Sequence, residues 1–400
     1  MSNQRLIAFR SFYLLTCCLV WAEIQIETIT TKIQGDRLEI QEGKAKIISI
    51  SGEIQLVSLA DIVSISLTQS LPQKHSGLTC FQFRNGDCIY GDILYEAKKE
   101  QNDVLFIASA SLSKDPFKIY LTDLNSITFE ENVPPLETLE QEDQIILKNG
   151  DRSRGKIEYV DNTGFQFNSS LGSTTRPFAN LTAVVFAKKK PAPFPSGILG
   201  IIQTVDNTLL TVRLKTIENS LIQATTFWSI PTLLNIPLEQ VQFIHFKNGH
   251  FKYLSDLEPI DIQYVSFFDM PFPYKRDLNQ RGGPLMMAGR SYFKGLGVHS
   301  KTTLFYETRS EYSEFRVVIG LDDCLQNTKQ TYGGRVRFMV LVDGKIMEDH
   351  LLEMTMPPKE LSVSIKEAEE LQLVVDFGDP TLPEDPINDI ANWCNAILIE

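Results

Sequence analysis

The sequence lacks the short motifs that mark common hydrolases and nucleotide-binding enzymes. It contains no GxSxG nucleophile elbow, no HExxH zinc motif and no phosphate-binding P-loop. A glycoside hydrolase also needs two carboxylates about 5 to 9 Å apart across a sugar, usually within a large catalytic domain. Acidic residues before residue 250 instead lie mainly in predicted turns, such as Asp87 and Asp151, where an aspartate after Asn-Gly fixes a hairpin. The sequence therefore predicts a protein that is not an enzyme.

Basic residues and long apolar runs are also scarce. The 38 Lys and Arg residues are outnumbered by 50 Asp and Glu residues, so the formal net charge is −12. Nucleic acids and anionic membranes attract basic surfaces, and we therefore expect neither as the main partner. The basic run Lys188–Lys190 precedes Pro191 and is interpreted as part of a linker. No segment after the N-terminus approaches the length of a membrane-spanning helix, so a membrane-spanning protein is not expected.

The N-terminus carries the pattern of a secretory signal peptide. Arg5 and Arg10 precede the apolar run 12–21, and Val20 and Ala22 supply the small residues that a signal peptidase accepts. The run is too short to span a membrane. We predict that residues 1–22 are a signal peptide and that the protein is secreted, periplasmic or displayed at the cell surface. The alternative is a buried first strand or helix.

Cysteine is rare, with six in the chain, and two of these fall within the predicted signal peptide. The other four thiols permit disulfides in an exported protein. Cys324 and Cys394 lie in the same predicted domain, where a bridge between them and two separate buried thiols are both compatible with the sequence. No CxxC pair or His/Cys cluster indicates a zinc site.

Cys80 and Cys88 flank an Asn85-Gly86 dipeptide, which predicts a hairpin turn. A two-residue loop would place Phe83 opposite Cys88 and leave the two cysteines out of register. We therefore do not expect a direct cross-strand pair between them.

A degenerate repeat occupies the chain before residue 248. Two clear units share the pattern NGDxxxG, at residues 85–91 and 149–155, followed by a middle β segment and a leucine-containing turn into an apolar strand. Flanking segments repeat this order in divergent form. The predicted units are 23–70, 78–131, 143–187 and 196–247.

Each unit has the signals of four or five short antiparallel strands. Asn-Gly favours hairpin turns, and alternation such as that of residues 157–160 is typical of a half-buried strand. Such a unit resembles a small SH3-like or Sm-like barrel, and it can either close on itself or pair with its neighbour. Long helices are absent from the pattern, so the sequence predicts an all-β protein.

The C-terminal third contains an ordered series of motifs that the repeats lack. In chain order they are KGLGVHS at 294–300, VIGLDD at 318–323, VLVDGK at 340–345, LVVDFGD at 373–379 and ANWCNA at 391–396. This order resembles the NPCBM family of carbohydrate-binding modules, which belongs to the galactose-binding-like group. The similarity covers residues 248–400. It implies a C-terminal β-sandwich of the jelly-roll type. The several small antiparallel β-barrel-like repeats described above precede this domain.

The resemblance also implies a carbohydrate-binding site. Carboxylates accept several hydrogen bonds from sugar hydroxyls, and an indole ring can lie against the apolar face of a sugar. The residues proposed to contact carbohydrate are His299, Asp322, Asp323, Trp393, Arg337 and Tyr332.

Each of the main candidates has a structural alternative. His299 could lock its loop against Asp322 or Asp323, and these two carboxylates could organise the loop that follows them. Trp393 could fill the core, since it lies close to the apolar final strand. Asp343-Gly344 is assigned to a hairpin turn.

Galactose-binding-like domains frequently carry a structural calcium ion, and this implies an oxygen-rich site near the C-terminus. Asp376, Asp379 and Asp389 are the residues that could hold the ion. The alternative is a calcium-free loop held by Asx turns. The family tends to have Asp-His before Ala-x-Trp, whereas this chain has Asp389-Ile390 there, so no role can be carried over from that histidine.

These patterns together predict an exported, non-catalytic protein whose C-terminal module recognises a glycan by aromatic and polar contacts. An alternative function is a structural or protein-interaction component of the cell envelope, because small barrels often bind peptides along open strand edges. A third is an accessory part of a glycoside-hydrolase system.

Overall fold

The computed structural model describes residues 23–49, 51–68, 77–94, 103–131, 133, 136–265, 272–308, 311–325, 334–378 and 387–400. Within these ranges the protein consists of β-strands joined by turns and short 3₁₀ helices, with no α-helix. The predicted all-β class is confirmed. The predicted signal peptide, Tyr332 and Asp379 lie outside the described residues. Across the described ranges, no helix is long and apolar enough to cross a membrane.

The first part of the chain forms 21 strands in four successive sets, which we call repeats 1 to 4. Repeat 1 contains β1 (Glu23–Thr28), β2 (Lys32–Gly35), β3 (Arg37–Gln41), β4 (Lys44–Ile48), β5 (Ile54–Ser58) and β6 (Ile62–Thr68). Repeat 2 contains β7 (Thr79–Phe83), β8 (Cys88–Leu94), β9 (Val104–Ala108), β10 (Phe117–Tyr120) and β11 (Leu124–Thr128). Repeat 3 contains β12 (Asp143–Leu147), β13 (Arg152–Val160), β14 (Gly164–Ser169), β15 (Gly172–Pro177) and β16 (Leu181–Val185). Repeat 4 contains β17 (Leu199–Thr204), β18 (Leu209–Glu218), β19 (Leu221–Thr226), β20 (Leu233–Pro237) and β21 (Val241–Lys247).

The last strand of each repeat returns to pair with the first. The pairs are β1 with β6, β7 with β11, β12 with β16, and β17 with β21. A 3₁₀ turn precedes each last strand, as at Leu121–Asp123 and Phe178–Asn180, and directs an apolar side chain inward. The repeats are thus small antiparallel β units with a common strand order.

The last strands also pair between repeats, which the sequence left open. β6 pairs with β21, placing Ile65 opposite Ile244, and β11 pairs with β16, placing Ile127 opposite Val184. Repeats 1 and 4 are therefore joined, as are repeats 2 and 3. All four contribute to one hydrophobic core, which adds to the small core that a unit of about 50 residues can form alone.

The loops that contain Asn-Gly are one residue longer than expected. In repeat 2 the Phe83 amide donates to the Asp87 carbonyl and the Gly86 amide donates to the Phe83 carbonyl, so the loop spans three residues. Gly86 alone has a positive φ, 95°, as a type I turn with a glycine bulge requires. Asp87 and Asp151 fix these turns through Asn85 and Asn149, as predicted.

The C-terminal domain contains the remaining thirteen strands. They are β22 (Phe251–Tyr253), β23 (Asp261–Tyr264), β24 (Lys275–Arg276), β25 (Leu285–Met287), β26 (Arg290–Tyr292), β27 (Gly295–His299), β28 (Thr302–Glu307), β29 (Glu314–Leu321), β30 (Arg335–Val342), β31 (Lys345–Glu353), β32 (Lys359–Ser364), β33 (Glu370–Phe377) and β34 (Ile390–Ile399).

Two antiparallel sheets form a β-sandwich, as predicted. One contains β24, β27, β34, β29 and β32 in that order, with β22 also on β34, and the other contains β23, β28, β33, β30 and β31. Alternate residues point inward, so Phe315, Phe338 and Leu373 meet in the core between the sheets. Asp343 and Gly344 both have positive φ and connect β30 to β31, which confirms the predicted hairpin turn.

The repeats and the C-terminal sandwich are joined through β22. This strand pairs with the end of β34, and Phe251 and Tyr253 pack into the core of the repeats together with Ile397 and Ile399. The sandwich is therefore seated on the repeats through its first and last strands.

Candidate functional site

The strand that carries the KGLGVHS motif, β27, lies in the interior of its sheet between β24 and β34. A Cβ atom on Gly297 would lie 2.3 Å from the Leu278 carbonyl oxygen, and one on Gly295 would lie 2.6 Å from the Trp393 carbonyl oxygen. The two glycines are required because other backbone segments pack directly against the strand.

Asp322 is buried beneath the β25–β26 hairpin, on the side of β29 and β34 that faces away from the core between the sheets, and is saturated with hydrogen bonds. One carboxylate oxygen accepts from Asn279 Nδ2 at 3.0 Å and from the Cys324 amide at 2.9 Å. The other accepts from Asn392 Nδ2 at 2.6 Å and from the Met286 amide at 3.1 Å. In place of the predicted contact with sugar, the structure shows a buried side chain that ties four segments together.

Asp323, the next residue, has a different environment. Its two oxygens accept from the backbone amides of Ala288 and Gly289 at 2.9 and 2.6 Å, in the turn between β25 and β26. The carboxylate is half-buried. It therefore organises a loop, which is one of the two alternatives that the sequence permitted.

Trp393 is fully enclosed, with 0% of its surface exposed. Its ring meets Phe338 of the opposite sheet edge to face, at 5.1 Å between centroids. A sugar-stacking role needs an exposed ring face, which Trp393 does not offer in this structure. The indole fills the core.

His299 ends β27 and is 8% exposed. Its Nδ1 is 2.7 Å from the Ser300 carbonyl oxygen and its ring stacks on Phe272 at 4.3 Å. Burial lowers the pKa of His299, although the hydrogen bond to Ser300 opposes this. The ring is neutral at pH 7, Nδ1 donates because a carbonyl only accepts, and Nε2 is left as an acceptor. The predicted lock against Asp322 or Asp323 does not form.

Arg337 projects from β30 and forms a two-pronged ion pair with Asp349 on β31, at 2.7 and 2.5 Å. That contact lies on the outer face of its sheet, because the neighbouring Val336 and Phe338 point into the core. Arg337 lies directly opposite Asp376 of β33, and its ion pair involves none of His299, Asp322, Asp323 and Trp393.

The predicted calcium ligands are only partly described. Asp389 is buried and accepts from Ser300 Oγ and the Arg335 amide, at 2.5 and 3.1 Å. Asp376 lies 3.4 Å from the Lys301 ammonium group. Among the described residues, no group of three or more His, Cys, Asp or Glu side chains is arranged to hold a metal. With Asp379 outside them, a structural calcium stays a prediction.

Lys294, the first residue of the KGLGVHS motif, is a key residue that the sequence analysis did not single out. Its side chain is 3% exposed, and Nζ lies 2.8 Å from Asp256 and 2.5 Å from Asp277. Lys247 of repeat 4 also contacts Asp256, at 2.9 Å. Burial tends to raise the pKa of Asp256, but the two ammonium groups lower it by more. This network joins repeat 4 to the sandwich.

Replacing Lys294 by alanine is expected to lower the free energy of unfolding by about 3 kcal/mol, because it leaves two carboxylates without their buried partner. Lys247→Ala is the matched control: it removes a more exposed ammonium group from the same Asp256 and should cost less than about 1 kcal/mol. Urea denaturation of both variants measures the difference. Equal losses would show that Lys294 has no special role.

A groove lies where repeat 4 meets the sandwich, and we call it the seam groove. Its volume is about 870 Å³. Repeat 4 contributes Gln203, Asn207, Gln242, Phe243 and His245. The sandwich contributes Asp277, Leu278, Ser291, Tyr292 and Phe293. Aromatic rings and side-chain amides therefore share one concave surface.

A stack of three rings forms one wall of the seam groove. His245 lies between Phe293 and Phe243, with centroid distances of 4.5 and 5.7 Å. Burial, together with the nearby Lys294 charge, lowers the pKa of His245 to about 3. The imidazole is therefore neutral at pH 7 and packs as an aromatic ring.

Comparison with protein-family models matches residues 251–399 to the NPCBM/NEW2 domain. This region is similar to the NPCBM/NEW2 domain. It forms the whole sandwich described above, and the family that it resembles is one of carbohydrate-binding modules. No curated protein matches the chain.

Several solved structures are similar to the chain. One is the CBM51 module from Clostridium perfringens GH95 in complex with methyl-galactose, with 22% identity, 37% of this chain and 99% of that chain covered, and a TM-score of 0.32. Another contains the CBM51-2 and INT domains of Clostridium perfringens ZmpB, with 21% identity, 47% and 40% covered, and a TM-score of 0.33. The third contains the tandem CBM51 modules of Sp3GH98 from Streptococcus pneumoniae SP3-BS71, with 13% identity, 88% and 87% covered, and a TM-score of 0.32. The chain thus spans less than half of the second structure.

Proposed function

We propose that the protein is an exported, non-catalytic glycan-binding protein whose seam groove holds a neutral sugar unit. The observation that carries the proposal is the match of residues 251–399 to the NPCBM/NEW2 domain, a family of carbohydrate-binding modules. The pattern of residues 1–22 supports export. The carboxylates of Asp322 and Asp389 already accept hydrogen bonds from protein donors. Neither is placed to transfer a proton to a substrate, and this supports binding without catalysis.

The size and chemistry of the seam groove suit a sugar. Small-molecule sites have volumes of about 300 to 1,000 Å³ and combine aromatic walls with a few polar groups. The groove offers the Phe293 ring for the apolar face of a sugar. The amides of Gln203, Asn207 and Gln242 can each donate to and accept from hydroxyl groups.

The charge of the groove favours a neutral sugar over an acidic one. The described residues that line it include neither Lys nor Arg. Asp277, its one acidic residue, is engaged by Lys294 and by the Gly295 amide. His245 is neutral at pH 7 because its pKa is about 3. No described lining residue therefore offers a cation to the carboxylate of a sialic or uronic acid, although Lys275 Nζ lies close to Gly282 and the Arg290 guanidinium lies over the Tyr292 ring.

Phe293→Ala in the full-length protein is expected to weaken binding of a neutral polysaccharide by up to about tenfold, because one aromatic contact contributes at most about 1.5 kcal/mol. Titration calorimetry, or mobility in gels that contain the polysaccharide, measures the effect. Circular dichroism spectra check that the variant keeps its fold.

Phe272→Ala is the matched control. Phe272 also stacks on a buried, neutral histidine, at 4.3 Å, but at the far end of β27 and outside the groove. We expect this variant to bind as the wild type does. If only Phe272→Ala weakens binding, the sugar lies near His299 and the groove assignment is wrong. If the wild type binds no neutral glycan but captures cell-envelope proteins, the proposed function is wrong.

A further inference from the structure

The hairpin of β7 and β8 brings together two cysteines that the sequence analysis placed out of register. Its three-residue loop puts Gln82 opposite Cys88 and Cys80 opposite Tyr90. Directly opposite residues share a face of the sheet, and so do residues two positions apart. The extra loop residue shifts the register by one position and turns Cys88 onto the face of Cys80.

The two thiols are in contact. Their Sγ atoms are 3.2 Å apart, and both side chains are half-buried. A disulfide has an S–S distance of about 2.05 Å, so the sulfurs need to approach by only about 1.1 Å. The other two described cysteines differ: Cys394 is buried in a small apolar cluster, and Cys324 is fixed beside Asp322.

The surroundings of the two thiols shift their pKa values in opposite directions. The hydrogen bond from Cys88 lowers the pKa of Cys80, in spite of burial, and contacts with Thr128 and Tyr90 act in the same direction. The same interaction, together with burial, raises the pKa of Cys88. Thiolates are the nucleophiles in disulfide exchange, so Cys80 is the attacking group and Cys88 the resolving one.

We propose that Cys80 and Cys88 are a thiol-disulfide site that is oxidised by exchange with a small-molecule or protein disulfide. The Cys80 thiolate attacks one sulfur of the incoming disulfide, forming a mixed disulfide and releasing the first thiolate. Cys88 then loses its proton and attacks Cys80 Sγ, which releases the second thiolate. The protein loses two hydrogen atoms, and the oxidant is reduced to two thiols.

The bond would lie where repeat 2 meets repeat 4. Cys88 is opposite Leu209 of β18, and the adjacent Asp87 accepts from the Thr211 amide at 2.7 Å and from Trp228 Nε1 at 3.1 Å. A bridge across the hairpin would hold Asp87 in place for these contacts. This inference goes beyond glycan binding and does not depend on it.

Trypsin digestion under non-reducing conditions tests the proposal directly. Cleavage after Arg84 separates peptide 75–84, which contains Cys80, from peptide 85–98, which contains Cys88. We expect the two peptides to be joined by a disulfide after the folded full-length protein has been treated with oxidised glutathione. The reduced protein should give the two peptides separately. In the reduced protein, iodoacetamide should label Cys80 faster than Cys88.

Cys80→Ser and Cys88→Ser should each abolish the linked peptides, whereas Cys324→Ser should leave them intact. If the two peptides stay separate after oxidation of a protein with a native circular dichroism spectrum, the proposal is wrong. Linkage of either peptide to that of Cys324 or Cys394 would also overturn it.

Discussion

Asp322→Ala is expected to lower the free energy of unfolding of the sandwich by about 4 kcal/mol. The substitution removes the acceptor of four donors, from Asn279, Cys324, Asn392 and Met286. An unpaired buried donor costs about 1–3 kcal/mol, and entry of water relieves part of that sum. Asparagine is not a substitute, since its amide group would face donors where an acceptor is required.

Asp323→Ala is the control for this prediction. It removes an identical carboxylate from the adjacent position, but the two amides it leaves belong to an exposed turn that water can reach. We expect a loss below about 1.5 kcal/mol. Urea denaturation gives the stabilities, and hydrogen exchange of β27 and β34 locates the change. Asp322→Ala with unchanged stability and lost glycan binding would restore the contact with sugar that its sequence position suggested.

The contrast between these neighbours shows how far the sequence could predict the structure. Alternation of apolar residues identified β29 and placed Asp322-Asp323 at its end. Which carboxylate turns inward depends on Asn279 and Asn392, which are 43 and 70 residues away from Asp322. A strand pattern contains no such information, because it reports local periodicity and not the segments that pack against the strand end.

Register is a second limit. The Asn85-Gly86 dipeptide correctly indicated a hairpin, but the same dipeptide is compatible with loops of two or three residues. A difference of one residue in loop length decides which face of the sheet each side chain occupies. It therefore decides whether Cys80 can reach Cys88. The pairing of last strands between repeats was equally hidden, since an apolar strand fits its own unit and a neighbour alike.

The seam groove illustrates a third limit. Its walls come from repeat 4 and from the segment 277–293, and neither has a motif that indicates a ligand. One signal was present: Lys294 is a charged residue that directly precedes the apolar strand β27. A lysine in such a place needs a carboxylate partner, and only the fold shows that Asp256 and Asp277 supply it.

Trp393→Ala is expected to destabilise the sandwich by about 3–5 kcal/mol, the cost of removing a large aromatic side chain from a close-packed core. The ring is fully buried and contacts Phe338 across the two sheets. Near-UV circular dichroism during urea denaturation measures the loss. This change tests whether Trp393 acts as a core residue or as a sugar contact, the two roles that the sequence allowed.

Trp393→Phe separates packing from hydrogen bonding. The indole Nε1 has no hydrogen-bond partner among the described residues, so phenylalanine keeps a ring against Phe338 and removes an unpaired donor. The expected loss is only about 1 kcal/mol. A ligand-stacking tryptophan would behave in the opposite way: its alanine variant would stay as stable as the wild type and lose glycan affinity. Because the ring is enclosed, we expect affinity in the folded Trp393→Phe variant to match the wild type and to fall only when Phe293 is removed.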